Sequence, residues 1–244
     1  MKMCQFFSFL SNGKGKYYYL NAEQRKEVKG KNDLYPDSHS SIVEYYQKQG
    51  VLSNKNTVED KFNKYEYNPL TKVFEIDQIN TKDDSDKAEN WVNNLDLKTI
   101  VPELIIKPIM NPFTDKRRRK VNKKDIARLQ EWVKVRHSVS DSVSDSVWDS
   151  VWDSVGNSVG HSTWESVWES VWASVWDSVY SYISSFFVLD NWKYIEHEKG
   201  VNPFQSCIDL WESGLVPSFD GSTWRLHGHK GKVLFEIDRG EHLK

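Results

Sequence analysis

Short hydrophobic runs that alternate with polar residues occupy residues 1–122. Two patterns predict β-hairpins: aromatic runs flanking a Gly-rich turn at 6–20 (FFSFLSNGKGKYYYL), and alternating runs flanking Asn-Pro at 65–77 (YEYNPLTKVFEID). Residues 36–50 (PDSHSSIVEYYQKQG) begin with capping residues and end with glycine, which predicts a helix. Residues 103–110 (ELIIKPIM) predict a strand limited by its proline. We therefore predict an N-terminal α+β domain over this region.

The hydrophobic spacing changes at residue 123. Residues 123–137 carry apolar side chains at helical spacing and predict a capping helix before the next segment. An apolar run at 186–195 predicts a strand, and 202–214 (NPFQSCIDLWESG) opens with Asn-Pro and closes with glycine, as helices do. Two alternating runs in 218–238, separated by HGHKG, predict a terminal hairpin. Residues 186–244 are thus predicted to form a C-terminal α+β cap.

Residues 138–185 repeat a tetrapeptide of the form SVWD twelve times; Ser opens eleven of the units. In an α-helix the valines drift about 40° per unit around the axis, so no straight partner buries them all. In a flat strand Val and Asp share one face, and Ser and Trp share the other, so neither face is apolar. A chain that turns once per unit keeps each valine inside and places Ser and Asp at corners, where both stabilise turns.

The third position of the unit adds a longer period. It runs small, small, Trp, Trp twice in succession, which gives a period of 16 residues. Four edges of four residues make one coil of this length, so Trp148 would stack on Trp164, and Trp152 on Trp168, about 4.8 Å apart. We predict an α+β protein with a short four-sided β-solenoid of three 16-residue coils. One long α-helix over the repeat is the alternative.

Charge is distributed unevenly along the chain. Residues 1–137 carry a net charge of +7, whereas residues 138–185 contain seven acids and no Lys or Arg. An aromatic content of 14% argues against disorder. Two distant cysteines do not make a disulfide framework, and free thiols are typical of a reducing compartment. The first ten residues lack a signal-peptide pattern and no apolar run spans a bilayer, so a cytoplasmic protein without membrane contact is predicted.

Two resemblances extend this interpretation. The repeat at residues 138–185 resembles the pentapeptide-repeat proteins, which are four-sided β-solenoids, although its unit has four residues. Some of those proteins imitate DNA towards topoisomerases, which implies nucleic-acid mimicry by the acidic repeat. The stretches MKMCQFFSFLSNGKGKYYYL, NKYEYNPLTKVFEIDQIN and NPFQSCIDLWESGLVPSFDGSTWRLHG are similar to uncharacterised proteins of gut phage and bacterial genomes that carry SVxD-type repeats. This implies a phage or mobile-element origin and a host-cell cytoplasm, and supplies no catalytic residues.

No combination of residues matches a known catalytic pattern. His39 stands beside serines as a base would, but its place at a predicted helix start makes helix capping the alternative. Two histidines lie in the turn HGHKG (227–231), where an ordinary polar turn is the alternative to metal or phosphate binding. GKGK (13–16) lacks the spacing of a phosphate loop, and the acids of 83–90 match no calcium loop. The sequence therefore identifies no catalytic residue and predicts neither a metal site nor a cofactor.

Two surfaces are predicted to bind partners. Clustered basic residues suit phosphate groups, so one loop is a candidate nucleic-acid site. This basic loop consists of Lys116, Arg117, Arg118, Arg119 and Lys120. Exposed tryptophans rimmed by acids suit a protein interface. The residues predicted to form that interface are Trp148, Trp152, Trp164, Trp168, Trp172, Trp176, Asp149, Asp153, Glu165 and Glu169.

Three functions follow from these surfaces. The first is a non-enzymatic binding protein that presents the acidic, Trp-rich repeat to a protein partner, such as a host enzyme or a defence factor. The second is an enzyme or nucleotide-binding activity in the N-terminal domain, with the repeat as a positioning arm. The third is a self-assembling structural protein whose repeats associate between subunits as a homo-oligomer. The sequence favours the first.

Overall fold

A computed structural model describes residues 6–28, 36–53, 58–116, 120–139, 142, 169–189 and 192–240. These residues form a mixed α+β protein with seven α-helices and two antiparallel sheets. The predicted α+β class is therefore confirmed. The chain divides into two compact units, which we call unit 1 (residues 1–106) and unit 2 (residues 107–244).

Unit 1 contains one antiparallel sheet and four helices. Its strands are β1 (Phe7–Ser11), β2 (Tyr17–Tyr18), β3 (Asn63–Asn68) and β4 (Val73–Gln78). Its helices are α1 (Ala22–Val28), α2 (His39–Lys48), α3 (Ser85–Asn93) and α4 (Leu97–Ile100). The strand order is β2-β1-β3-β4, with every neighbouring pair antiparallel. Both hairpins predicted for this region are confirmed.

A glycine in one hairpin turn and side-chain hydrogen bonds in the other explain how the two turns form. Between β1 and β2, Gly13 adopts a φ of 69°, which a glycine tolerates without strain. Between β3 and β4, Oδ1 of Asn68 accepts the backbone N–H groups of Leu70 at 3.0 Å and Thr71 at 3.2 Å. An asparagine that bonds the backbone ahead of it closes a turn, so the Asn-Pro signal in the sequence has a direct structural cause.

The sheet of unit 1 buries side chains on both faces. Successive residues of a strand point to opposite faces, so Phe9 and Leu10 of β1 enter different layers. The Phe9 ring lies 4.9 Å from Trp91 of α3. Leu10 belongs to a buried apolar cluster that includes Ile42 of α2. Helices α2 and α3 thus cover opposite faces of the sheet, which explains why β1 is buried along its whole length.

A buried arginine joins two carboxylates in unit 1. Arg25 is 4% exposed; its Nη1 lies 2.7 Å from Oδ1 of Asp37, and its Nη2 lies 2.5 Å from Oε1 of Glu103. Burial raises the pKa of Asp37 to about 6, although the Arg25 charge opposes this shift. The folded protein therefore takes up a proton at Asp37 at a higher pH than the unfolded chain does.

We expect this proton uptake to make stability depend on pH. Because the pKa is raised on folding, the stabilisation from Asp37 is complete below about pH 4 and is lost as the pH rises through about 6. Between pH 7 and pH 4 the wild type should gain about 2 kcal/mol in unfolding free energy relative to Asp37→Asn. Urea unfolding of both proteins at each pH measures this difference. A difference that is constant, or that grows as the pH rises, would contradict the prediction.

Unit 2 combines three helices with a second sheet. Its helices are α5 (Lys123–Val135), α6 (Glu169–Ser184) and α7 (Gln205–Glu212). Its strands are β5 (Val216–Phe219), β6 (Thr223–His227) and β7 (Val233–Asp238), in the order β5-β6-β7. The helix predicted to begin at residue 123 and the terminal hairpin are confirmed, and β5 is an additional strand. The helix predicted over 202–214 is present, but it begins at Gln205 with Phe204 as its N-cap, not at Asn202. A capping box between Asn122 and Asp125 fixes the start of α5.

Two predicted strands are absent from the described residues. Residues 103–110 form no strand, and Pro108 in this segment has no N–H to donate to a neighbouring strand. The described residues of 186–195 also form no strand. Phe186 and Phe187 are both buried, so this run does not alternate between core and solvent as a strand does. In both segments, a run of apolar residues was not sufficient to predict a strand.

The solenoid prediction is wrong for the end of the repeat. Its third coil was predicted at residues 170–185, where the structure contains helix α6. The α-helical alternative is therefore correct for these four tetrapeptides. The first two coils lie outside the described residues, except for Ser138, Val139, Ser142 and Glu169, the first residue of α6.

The valine drift that argued against a helix has little consequence in α6. Over the four tetrapeptides of this helix, the valine position rotates about 120° around the helix axis. The helix contacts α7 and β5, and buried side chains surround most of its circumference over residues 175–184, the part of α6 whose side chains the structure describes. Val175, Val179, Tyr180 and Ile183 are all less than 7% exposed. A helix that is buried on most sides does not need its apolar residues to form one continuous face towards a partner. A four-residue repeat is therefore compatible with such a helix.

The serines of α6 satisfy their own hydroxyl groups. Ser178 Oγ donates to the carbonyl oxygen of Val175 at 2.7 Å, and Ser181 Oγ donates to that of Asp177 at 2.9 Å. Ser184 repeats this with Ser181 at 2.6 Å. Such bonds to the preceding turn remove the cost of burying a hydroxyl. Ser178, which opens a tetrapeptide, and Ser181 and Ser184, which stand at other positions of the repeat, can therefore lie inside the core of unit 2.

Candidate functional site

The described end of the repeat contains one pair of adjacent tryptophan and acid, Trp176 and Asp177 on α6. The Trp176 side chain is half-buried, and its ring lies 5.3 Å from that of Tyr180. Oδ2 of Asp177 accepts a hydrogen bond from Nε of Arg136 at 2.8 Å. Arg136 lies two residues before the repeat begins at Ser138, so this contact joins the start of the repeat to its end.

Arg136 also lies over two aromatic rings. Its guanidinium carbon is 4.5 Å from the ring centre of Phe219 and 5.1 Å from that of Trp224. These two rings face each other across β5 and β6 and stack 4.6 Å apart. A guanidinium binds carboxylates and stacks on aromatic faces. The Arg136 site uses both interactions at once.

The turn between β5 and β6 positions these rings. Oδ1 of Asp220 accepts the backbone N–H groups of Ser222 at 2.9 Å and Thr223 at 2.8 Å. These bonds and the ion pair with Arg225 hold the pKa of Asp220 well below its usual range. The tight turn sets the register that places Phe219 opposite its partner ring. The sequence signal for this turn is the DGS triplet.

The structure describes the side chain of one of the ten predicted interface residues, Trp176. Trp172 and Glu169 belong to α6, but their side chains are outside the described part. The others lie outside the described residues: Trp148, Trp152, Trp164, Trp168, Asp149, Asp153 and Glu165. The predicted interface therefore stays a prediction.

The basic loop is described only at its ends. Lys116 and Lys120 are exposed, while Arg117, Arg118 and Arg119 lie outside the described residues. Nearby on α5, Arg128 pairs with Asp209 of α7, with Nη2 2.5 Å from Oδ2. Arg128 therefore has an intramolecular role, and nucleic-acid binding by the loop stays a prediction.

Unit 1 contains three potential metal ligands in one place. One ligand atom from each of His39, Glu66 and Asp77 lies within 4.8 Å of the other two. His39 begins α2, Glu66 lies in β3, and Asp77 is the extra residue of a β-bulge opposite Lys64 and Tyr65. Bulges redirect side chains, which explains how a residue of the edge strand meets the helix.

One hydrogen bond and one longer contact with a carboxylate orient the His39 ring. Its Nε2 lies 3.1 Å from the carbonyl oxygen of Tyr65, and its Nδ1 lies 3.6 Å from Oδ2 of Asp77. Burial lowers the pKa of His39, although the Tyr65 carbonyl and Asp77 oppose the shift. Helix capping by His39 is not observed: Ser38 holds the N-cap position, and it makes no side-chain capping bond.

Sequence reasoning singled out His39 but missed its two neighbours. Glu66 and Asp77 are 27 and 38 positions away from it and form no motif with it. Alternation along β3 places Glu66 on the face that α2 covers, which is a weak signal. No feature of the sequence marks the bulge at Asp77.

A buried serine and histidine pair across β5 and β6. Oγ of Ser218 lies 2.6 Å from Nε2 of His227, and Nδ1 of that ring lies 3.0 Å from the carbonyl oxygen of Gly231. Because a carbonyl only accepts, Nδ1 donates and Nε2 accepts the Ser218 hydroxyl. Both side chains are at most 3% exposed. This pair therefore satisfies buried polar groups and is closed to a substrate.

The one cysteine in the described residues is also closed to solvent. Cys207 on α7 is a free thiol with no exposed surface. Burial raises the pKa of this thiol well above its ordinary value. A thiol that is neutral and inaccessible is a poor nucleophile. Cys4 lies outside the described residues.

Comparisons with known proteins identify no relative of this chain. No protein-family model, no curated protein and no solved structure matches it. None of the helices in the described ranges has the length and apolar character that a bilayer crossing requires. The functional argument therefore depends on the geometry of the sites themselves.

Proposed function

We propose that this protein is a binding protein without catalytic activity, and that its tetrapeptide repeat contacts arginines of a protein partner. The observation that carries this proposal is the arginine already bound by the repeat. Asp177, which follows Trp176 in one repeat unit, holds Arg136 at 2.8 Å. The repeat contains this tryptophan–acid dipeptide four more times, at 148–149, 152–153, 164–165 and 168–169.

The chemistry of the dipeptide suits arginine better than lysine. A guanidinium offers a planar fork of donors to a carboxylate and a flat face to a ring, whereas an ammonium is a compact, strongly hydrated charge. Arg136 donates one hydrogen bond to Asp177 of the repeat and lies over Phe219 and Trp224, which belong to β5 and β6. At the other four dipeptides we propose that the tryptophans of the repeat supply the aromatic face. No Lys or Arg occurs within residues 138–185, so four dipeptides have no basic neighbour in their own segment.

Both ends of the repeat are attached to the folded part of unit 2. Helix α6 contributes buried side chains to the core of this unit, and Val139 at the start of the repeat has no exposed surface. Ser142 Oγ donates to the carbonyl oxygen of Lys193. A binding segment attached at both ends loses less entropy when it meets a partner than a free tail does. In a phage setting the partner would be a host enzyme or a defence factor, and an acidic repeat would compete with nucleic acid for its basic surface.

We expect capture from a bacterial lysate to depend on the repeat acids. The wild type should retain a partner that elutes with free arginine at a lower concentration than with lysine at equal ionic strength. A variant with Asp149→Asn, Asp153→Asn, Glu165→Gln and Glu169→Gln should retain at most a tenth as much, because the carboxylates that pair with the arginines are gone.

The matched control changes four exposed acids of unit 2 outside the repeat and has the same net charge. It carries Glu131→Gln, Glu196→Gln, Glu198→Gln and Asp238→Asn. This control should retain the partner as the wild type does. If all three proteins capture the partner equally, the binding surface lies outside the repeat acids. If both variants lose the partner equally, binding depends only on the net charge of the protein. If the wild type retains no partner, the proposal fails.

A further inference from the structure

We propose that His39, Glu66 and Asp77 form a binding site for a divalent transition-metal ion in unit 1. Zinc is the ion that fits their chemistry best, because it accepts imidazole nitrogen and carboxylate oxygen together. Zinc lies about 2.0–2.2 Å from such ligands, and tetrahedral geometry then separates two ligand atoms by about 3.3–3.6 Å. The observed 3.6 Å between Nδ1 of His39 and Oδ2 of Asp77 is close to that separation.

The orientation of the imidazole supports a cation between these groups. The carbonyl oxygen of Tyr65 only accepts, so Nε2 of His39 carries the proton and donates to it. In a neutral ring, Nδ1 then holds a lone pair, and this lone pair faces the carboxylate of Asp77. Metal-binding histidines commonly donate their second N–H to a backbone carbonyl in this way.

Local charge also favours a cation. Glu66 is 5% exposed and lies directly opposite Glu75 in the register of β3 and β4. Like charges at opposed strand positions destabilise a sheet. Lys64, whose charge acts on His39, is itself paired with Glu59, with Nζ 2.6 Å from Oε1. A divalent ion would be attracted by the two carboxylates of the cluster.

The cluster has a path to solvent. Asp77 is 40% exposed, whereas His39 is 7% exposed. A metal ion can therefore enter along the edge strand without opening the core. Three protein ligands leave further coordination positions for water or an anionic ligand.

The test is zinc binding by the full chain. The protein is stripped with a chelator, freed of it by dialysis, and titrated with Zn²⁺ at pH 7 in a calorimeter. We expect one site in the wild type, at least a tenfold weaker affinity in Asp77→Asn, and no change in His229→Gln, which alters the alternative site in the HGHKG turn. Thermal unfolding without zinc shows whether Asp77→Asn is folded, and Zn²⁺ should raise the Tm of the wild type more than that of this variant.

Three results of the zinc titrations would overturn the proposal. They are zinc binding of equal strength in the wild type and in a folded Asp77→Asn, loss of the site in His229→Gln alone, and no zinc binding by the wild type. Titration with Mg²⁺ serves as a comparison, since magnesium prefers an all-oxygen shell. Magnesium binding as tight as that of zinc would also contradict a site built around His39.

Discussion

Trp211→Ala is expected to lower the unfolding free energy of unit 2 by about 3–5 kcal/mol, the usual cost of removing a buried tryptophan. Trp211 on α7 has no exposed surface, and its ring stacks on Tyr182 of α6 at 4.9 Å with an angle of 8° between the planes. The substitution therefore opens a cavity between the end of the repeat and the helix that covers it. Urea unfolding followed by circular dichroism measures the change.

Trp211→Phe is the matched comparison. Among the described residues, the indole Nε1 of Trp211 has no hydrogen-bond partner although it is buried. Phenylalanine keeps most of the ring contact and removes that unsatisfied donor, so its cost should be less than half that of alanine. Two results would contradict this packing of α6 on α7. They are an equal loss of unfolding free energy in both variants, and a loss below about 1 kcal/mol in Trp211→Ala.

Asp84→Ala is expected to have an effect of similar size in unit 1. The Asp84 carboxylate precedes α3 and accepts three hydrogen bonds in the core. The donors are Ser11 Oγ at 2.5 Å, Asn63 Nδ2 at 2.9 Å and the Tyr65 hydroxyl at 2.8 Å. Alanine would leave three buried donors without this acceptor, and each costs about 1–3 kcal/mol, so we expect a loss of about 3–5 kcal/mol.

Two further variants separate the hydrogen bonds from charge and helix position. Asp84→Asn keeps one oxygen but turns an N–H₂ group towards a donor, so its cost should be intermediate. Asp86→Ala removes an exposed acid of the same helix and should change the unfolding free energy by less than about 0.5 kcal/mol. Urea unfolding of the three variants checks the order. An Asp84→Ala protein within 1 kcal/mol of the wild type would show that the network contributes little.

Much of the architecture could be predicted from residues that act locally. Asn68 closes its hairpin with its own side chain, and the Asn122–Asp125 capping box starts α5 where the hydrophobic spacing begins. Gly214 ends the segment of α7 with a φ of 84°, as its position implied. These signals need no knowledge of distant parts of the chain, so they transfer directly from sequence to structure.

The sequence predicted the structure wrongly, or missed it, in segments whose conformation depends on tertiary contacts. The last four tetrapeptides of the repeat form a helix because surrounding elements bury Tyr182 and Ile183. Serine hydroxyls of this helix, such as that of Ser184, also donate hydrogen bonds to backbone carbonyls of the preceding turn. Periodicity alone does not show how many sides of a helix will be covered. The candidate metal site depends on a bulge that brings Asp77 to His39, and neither the bulge nor the contact leaves a pattern in the sequence.

The central structural claim is that the repeat ends inside the folded core of unit 2. Hydrogen exchange with mass spectrometry tests this directly in the full chain. Amides of residues 175–184 should exchange as slowly as those of α7, and Trp211→Ala should accelerate both sets together by at least a hundredfold while leaving β1 and β3 unchanged. Rapid exchange of 175–184 in the wild type, or acceleration of α7 alone in the variant, would contradict the account.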